Sequence, residues 1–267
     1  MSSPNISFDN IASSIRKPGQ YFEFNTKLAV RTLPANAQKV LIVAPMLATG
    51  SLAALTATSV FSADEAAVYF GFGSVAHLMV VAAINTYAYL DLTVIGVSDA
   101  VAGQAASGTL TLTGPASSQG VVSLWVGNTR VDVAVSAADT ATVIAAAMKT
   151  AIDNQPELPV TAAVAAGVLT LTAKNKGAAG NGIRLRAQTT ASGTTTAVEA
   201  MAGGDIDPDI APALANVVAA GHNIIISPFS TQTTLTALRT HLDFVSGPME
   251  QRGAIGVAGW PGTLAAG

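Results

Sequence analysis

The sequence predicts an α/β fold: a discontinuous α/β sheet domain, interrupted by an inserted β-rich (α+β) domain and preceded by an extended N-terminal arm. Three observations predict it. Short Val/Ile/Leu runs such as KVLIVAP (39–45) and LDLTVIGV (90–97) alternate with helix-like stretches, as in a sheet covered on both faces. From about residue 103 to 204 the texture changes to alternating, β-branched segments bounded by turn residues. Before residue 36 the hydrophobic residues are sparse and sustain no helical stripe. The expected divisions are an arm over 1–35, a first α/β part over 36–102, a β-rich insertion over 103–204 and a second α/β part over 205–267.

The arm carries Ile6, Phe8, Ile11, Ile15, Tyr21, Phe22, Phe24, Leu28 and Val30 among polar residues, Pro4, Pro18 and Gly19. From Tyr21 to Val30 the alternation is close to period two, which suits one half-buried strand; the stretch before it reads as extended. KVLIVAP, ended by proline, reads as a buried strand and is followed by a polar, Ala-rich loop. Ser62 stands three residues before Glu65, the spacing of a capping box, so a helix is expected over Ala63 to Phe70. Gly71 and Gly73 end it. A second helix from Ser74 places Val75, Leu78, Met79, Ala82, Ala83 and Thr86 on one stripe, and its other side is apolar too, which predicts burial on more than one face. LDLTVIGV is the next strand, and strand, helix, helix, strand implies a crossover with parallel pairing.

Within the β-rich stretch, GTLTLTG (108–114), VVSLWV (121–126), TRVDVAV (129–135), GVLTLTA (167–173) and NGIRLRAQ (181–188) read as strands. Gly127-Asn128 between two of them is a hairpin signal. One helix, capped near Ser136 or Asp139, is expected to run to about Asp153. GTLTLTG and GVLTLTA hint at an internal repeat. After Asp205 the α/β texture returns. Asp207 before Pro208 reads as a helix start and Gly221 as a stop, followed by a strand in HNIIISPF, a helix with Leu235, Leu238, Leu242 and Val245 on one side, and a strand in GAIGVAGW. The chain stops at PGTLAAG, where another strand-to-helix connection is expected, so a further C-terminal portion is expected beyond it.

Of the 267 residues, 50% are apolar, 5% aromatic and 11% charged. The charged fraction is well under the roughly one quarter of ordinary globular proteins, which points to surfaces covered by other protein. Net charge is −3 with Lys and Arg scattered, so neither a nucleic-acid footprint nor a basic membrane-surface helix is present. There are 0 cysteines, which excludes disulfides and thiolate metal sites. The first twenty residues lack the pattern of a secretory signal. Mean hydropathy is +0.47, yet no run approaches the roughly 18 uninterrupted apolar residues of a membrane span.

Several motifs imitate catalytic or ligand sites. Gly71-x-Gly73-x-x-Ala76 with Asp91 about twenty residues on fits the dinucleotide fingerprint, but that fingerprint must follow a strand and open a helix. Here a helix precedes it, so a helix-breaking turn is expected and no cofactor. Asp205, Asp207 and Asp209 open like a calcium loop, but Ile210 stands where glycine is needed and Asn216 where a bidentate Glu is needed. An interdomain turn with a helix cap is expected instead, and no metal. His77, His222 and His241 share no ligand spacing. Ser227, Ser230, His241 and Asp243 come without a G-x-S-x-G elbow. KGAAGNGIRLRA lacks the Gly-Lys-Ser/Thr ending of a phosphate loop and reads as a tight turn feeding a strand. No catalytic residue is expected.

SADEAAVYFGFGSVAHLMVVAAINTY resembles contractile phage tail sheath proteins, in which a helix ends in F-G-x-G-S before a second helix of small and apolar residues. Phe70 to Ser74 match that segment. Gly177, Gly180, Asn181 and Ile183 resemble the same family's G-x-x-G-N-x-I-x-V turn, with Leu185 where the family favours Val. MSSPNISFDNIASSIRKPGQYFEFNTKLA resembles sheath proteins of Mu-like phages in particular. The resemblance implies a structural, non-enzymatic subunit of a helical sheath in the virion tail. Such a subunit is assembled in the bacterial cytoplasm with tail tube and baseplate proteins as partners, and contraction energy is stored in bistable lattice interfaces. It also implies an inter-subunit arm carrying Phe8, Ile11, Ile15, Tyr21, Phe22 and Phe24, which adds strands to neighbouring subunits. Gly71, Gly73, Gly180 and Asn181 become structural turns, the insertion faces outward, and this chain alone is expected to stay unpolymerised. An alternative reading makes the β-rich part a binding module for a receptor or glycan, with Trp125 as its sugar-stacking aromatic.

Overall fold

In the computed structural model, residues 16, 18–20, 38–87 and 89–260 are described. The chain divides into Met1–Ala37 and Gln38–Gly267. The arm residues Phe8, Ile11, Ile15, Tyr21, Phe22 and Phe24, and the strand expected over 21–30, lie outside the described residues.

The second unit starts with β1 (Lys39–Met46), β2 (Ala57–Ser59), α1 (Ala63–Phe70), α2 (Val75–Thr86) and β3 (Asp91–Ser98). β1 pairs in parallel with β3 over its whole length, from Lys39 opposite Asp91 to Met46 opposite Ser98. Its alternate residues serve two layers. Val40, Ile42 and Ala44 pack with Ala66, Phe70, Ala76 and Val80 of α1 and α2. Leu41 and Val43 pack on the opposite face against residues 210–217 and Leu238. Each fully buried aliphatic side chain there stabilises the fold by about 1.5–3 kcal/mol. β2, inside the stretch expected to be loop, is an antiparallel edge on β3; three residues of Ala, Thr and Ser carry no alternating apolar signal.

Ser62 caps α1, its Oγ accepting the Glu65 N–H at 3.2 Å, while Glu65 Oε2 accepts the N–H of Phe61 at 3.0 Å. Ser62→Ala is expected to lower stability by about 1 kcal/mol, read as a thermal midpoint about 2–4 °C lower. α2 differs from its expected burial. Ala76, His77 and Val80 are its buried residues, whereas Val75, Leu78 and Met79 are half-buried and Ala82 and Thr86 exposed. A helix apolar on all sides has no periodic signal by which to choose a face.

β4 (Ser107–Leu112), β5 (Gly120–Val126), β6 (Thr129–Val135), α3 (Ala141–Asp153), β7 (Val160–Ala165), β8 (Val168–Ala173), β9 (Leu185–Thr189) and β10 (Thr196–Ala202) follow. They form two antiparallel sheets, ordered β10-β4-β8-β7 and β6-β5-β9. The similar segments of β4 and β8 are direct neighbours, Leu110 opposite Leu169 and Thr109 opposite Thr170. Their leucines enter a core shared with Val122, Leu124, Val131, Ile144 and Met148. β7 and β10 are missing from the sequence reading: VTAAVA and TAVEAMA are Ala-rich, and pairing with β8 and β4 makes them strands. The N-cap of α3 is Thr140, not Ser136 or Asp139; the Asp139 carboxylate instead accepts the Ser136 N–H at 2.7 Å.

The chain then adds α4 (Ala211–Val217), β11 (Ile224–Ser227), α5 (Gln232–Val245) and β12 (Ile255–Ala258). β11 returns to the free side of β1, giving the order β12-β11-β1-β3-β2, in which β12, β11, β1 and β3 are parallel. The helix expected to start at Asp207 starts at Ala211, and the Asp209 carboxylate receives the Ala211 N–H at 2.9 Å. On α5, Thr234, Leu238 and Val245 are buried and Leu235 is exposed. Thr234 can face inward because its hydroxyl donates to the Thr231 carbonyl at 2.8 Å. The whole is a mixed α/β structure with several sheets.

Candidate functional site

Gly71 and Gly73 lie between α1 and α2, at the C-terminal end of β1, with φ of 88° and 76°. Four of the local N–H groups are used. Gly71 donates to Ala67 O at 2.9 Å, Gly73 to Nδ1 of His77 at 3.2 Å, Ser74 to Gly71 O at 3.2 Å and Val75 to Oδ1 of Asn175 at 3.0 Å. A pyrophosphate would need those donors. A Cβ on Gly73 would stand 2.3 Å from Leu158 O, 2.7 Å from Lys174 Nζ and 2.9 Å from Pro156 O. The glycine therefore lets the turn approach the backbone before β7 and the lysine after β8.

Lys174-Asn175-Lys176 meets this turn from the other side. Lys174 Nζ donates to Phe72 O at 3.2 Å and Pro156 O at 2.6 Å. Asn175 is buried; its Nδ2 donates to Met46 O at 3.2 Å and to Oδ1 of Asp99 at 3.1 Å. The Lys176 N–H donates to Oδ2 of Asp99 at 2.9 Å. Burial holds the Asp99 carboxyl above the ordinary carboxylate range against these donors, and burial lowers Lys174. Three residues thus tie the end of β1, the start of α2 and the exit of β3 to the β-rich segment.

The next residues continue the attachment. Gly177 to Gly182 make a tight turn in which Gly180 is buried, its absent Cβ about to meet Ala106 and Ala173 at 3.0 and 3.1 Å. The Asn181 amide pairs with the backbone of Gly204, donating to its O and accepting its N–H, both at 2.8 Å. The three aspartates diverge: Asp205 accepts from Gln104 N–H, Asp207 from Ala178 N–H and Asp209 from Ala211 N–H. Among the described residues no three His, Cys, Asp or Glu side chains gather to hold a metal ion. The segments that carried the family resemblance, 70–74 and 177–183, therefore lie at one junction. Asn175, Lys174 and Asp99, which join them, gave no sequence signal beyond their proximity to the Gly-rich turn.

A cavity of about 620 Å³ opens beside Asn175 at the C-terminal ends of β1, β11 and β12, where the strand order reverses. Its walls include Pro45, Leu78, Met79, Ile183, Val257 and Trp260. A second, of about 560 Å³, borders Met46, Asp99 and Lys174, and a third, of about 460 Å³, borders His77, Pro156 and Glu157. Three of the polar groups at the first already serve the fold: Asn175 as above, Lys176 Nζ on Val101 O at 3.3 Å, and Ser227 Oγ accepting the Phe229 N–H at 3.4 Å. Asp243 faces Arg239 at 3.7 Å on exposed helix surface. Chemically, the first cavity suits an apolar side chain.

His77 is buried with Nδ1 accepting the Gly73 N–H, which requires that nitrogen unprotonated. Burial lowers its pKa below 6.5, as it does for His222 and His241. A lowered base binds its proton more weakly in the folded chain, so the stability it contributes is present above about pH 6.5 and is lost as pH falls through the folded value. The urea midpoint is expected to drop between pH 7.5 and 5.5, and less so in His77→Gln.

Compared with known proteins, the chain is related to phage tail sheath proteins. A Mu-like prophage FluMu tail sheath protein of Haemophilus influenzae is 35% identical over 251 residues, 92% of this chain and 52% of that protein. The chain thus spans about half the length of that curated relative. No protein-family profile matches. Among solved structures, a sheath tail protein of Listeria innocua aligns over 85% of this chain and 48% of its own, with 13% identity and a TM-score of 0.30. One from Desulfitobacterium hafniense aligns over 89% and 52%, with 14% identity and a TM-score of 0.32.

Proposed function

We propose that the chain is part of a structural, non-enzymatic subunit of a contractile phage tail sheath. The observation that carries this is the 35% identity to a tail sheath protein across 92% of the chain. In this reading copies stack helically around the tail tube, between tube and baseplate partners, in a virion tail assembled in the bacterial cytoplasm. Residues 36–102 and 205–267 act as one discontinuous domain carrying residues 103–204 as an outward insertion. The arm over 1–35 joins neighbouring subunits through Phe8, Ile11, Ile15, Tyr21, Phe22 and Phe24. Gly71, Gly73, Gly180 and Asn181 shape the turns that fix insertion to sheet, so that a load on one is passed to the other. A charge-poor composition, 11% charged, suits surfaces covered by other subunits.

The test is immunogold electron microscopy of the phage particles that encode the chain, with antibody raised against it. Label along the tail, closing up when the tail contracts, supports the proposal. Label confined to heads or fibres, or particles without a sheathed tail, overturns it.

A further inference from the structure

Asn181-Gly182 is the one place in the sequence where an asparagine precedes a glycine. An asparagine loses its amide most readily in that setting, because no side chain stands beside the backbone nitrogen that attacks it. Both residues are exposed, so water and base reach them. Asn128, exposed in its hairpin turn, offers the same amide, but its following nitrogen belongs to β-branched Thr129 and is crowded.

The fold places the pair where its chemistry has a consequence. The entry to the β-rich segment at Gln104, the turn over 177–182 and the exit over 204–207 are bonded to one another. The Gln104 carbonyl accepts the N–H groups of Gly177 at 2.9 Å and of Asp205 at 3.3 Å, and Asp207 Oδ1 accepts that of Ala178 at 2.8 Å. Asn181 closes the group through Gly204, its Nδ2 donating to the carbonyl and its Oδ1 accepting the N–H, both at 2.8 Å. Only an amide does both at once, since a carboxylate has no hydrogen to donate. A side chain held in this way to a residue 23 positions on is kept from swinging onto the Gly182 nitrogen. The clamp must therefore open before the amide is lost.

We infer that Asn181 is a deamidation site gated by its own clamp: each opening of the attachment at Gly204 exposes the amide to conversion, and a converted residue cannot close the clamp again. The Gly182 nitrogen attacks Asn181 Cγ. The N–Cγ bond forms, the Cγ–Nδ2 bond breaks, and ammonia leaves with the proton that the Gly182 nitrogen gives up. Water then opens the five-membered imide at either carbonyl, restoring an N–H and leaving a carboxyl on an aspartate or an isoaspartate. Nothing is oxidised or reduced. Either product lacks the donor to Gly204 O and adds a negative charge to a turn that already holds the Asp207 carboxylate. This conversion is independent of the proposed sheath role.

The test incubates the whole chain in mildly alkaline buffer, folded and in urea, and follows each asparagine by peptide mass spectrometry. In urea Asn181 should convert ahead of Asn128, and Gly182→Ala should slow it. In the folded chain Asn181 should convert about tenfold or more slowly than in urea, as two hydrogen bonds must first break. Gly204→Ala, whose Cβ would stand 2.4 Å from Gly177 O and 3.0 Å from Asn181 Oδ1, should force the clamp open and bring the folded rate towards the unfolded one. Converted chains, separated from the parent by their added charge, should melt about 2–4 °C lower. The proposal is overturned if Asn181 converts no faster than Asn128 in urea, if folding does not slow it, or if converted chains melt with the parent. A folded Gly204→Ala chain that converts at the parent's rate also overturns it. Should Gly204→Ala not fold, as read by circular dichroism, the folded and unfolded rates of the parent and the melting of its converted chains decide.

Discussion

Gly73→Ala is expected to destabilise the protein by about 3–5 kcal/mol, through two effects that add at one site. The first is conformational: at φ of +76° an L side chain is strained. The second is steric. The new methyl would sit 2.3 Å from Leu158 O and 2.9 Å from Pro156 O, both backbone atoms, which cannot swing aside as a side-chain tip could. Lys174 Nζ, 2.7 Å from the same point, could move, but only by giving up its bonds to the carbonyls of Phe72 and Pro156. Gly253→Ala is the control. Nothing lies within 4 Å of its added Cβ, and a change within about 0.5 kcal/mol is expected. Urea unfolding of the parent and the two variants decides the matter. A Gly73→Ala chain within about 1 kcal/mol of the parent would mean that the two parts are not held in close contact there.

How far the sequence shows this junction depends on the range of the interactions that build it. α1 was readable to the residue because its signals are local: Ser62, Glu65 and Gly71 all lie within or beside it. β1 and β3 were readable because both faces of the sheet are covered, leaving continuous apolar runs. The buried face of α2 was not, since nothing in VAHLMVVAAINT distinguishes one side from another until packing against β1 and α1 chooses it. α5 misled for the converse reason. Leu235 advertises an apolar stripe, but Thr234 satisfies its own hydroxyl and takes the buried place. At the junction the partners of Asn175 lie 76, 100 and 129 residues away. A lone Asn between two lysines announces none of them, and only the chain's return brings Met46, Val75 and Asp99 to it.

Asn175→Ala is therefore the second variant with a large expected effect, and its effect should depend on pH. The side chain satisfies the Val75 N–H, the Met46 carbonyl and one oxygen of Asp99, in a place where water is scarce. Truncation leaves three polar groups without that partner, each worth about 1–3 kcal/mol if unsatisfied. The neighbouring cavity, which Asn175 lines, admits water to part of them. A net loss of about 3 kcal/mol near neutral pH is expected. The sign of the pH dependence follows from Asp99. Burial already raises its carboxyl, and Asn175 is one of the donors that pulls it down. Without Asn175 it rises further, so the folded variant keeps a proton at pH values where the unfolded chain has released it. A raised carboxyl contributes stability at low pH that is lost as pH increases through the folded value. The gap between parent and variant should accordingly be smaller at about pH 4.5 than at about pH 7.5, measured as the difference of their urea unfolding free energies, in which the histidine contributions common to both chains cancel. A gap that stays constant, or widens in acid, would show that Asp99 does not depend on Asn175, and that the bond between them adds nothing to the attachment of the β-rich segment.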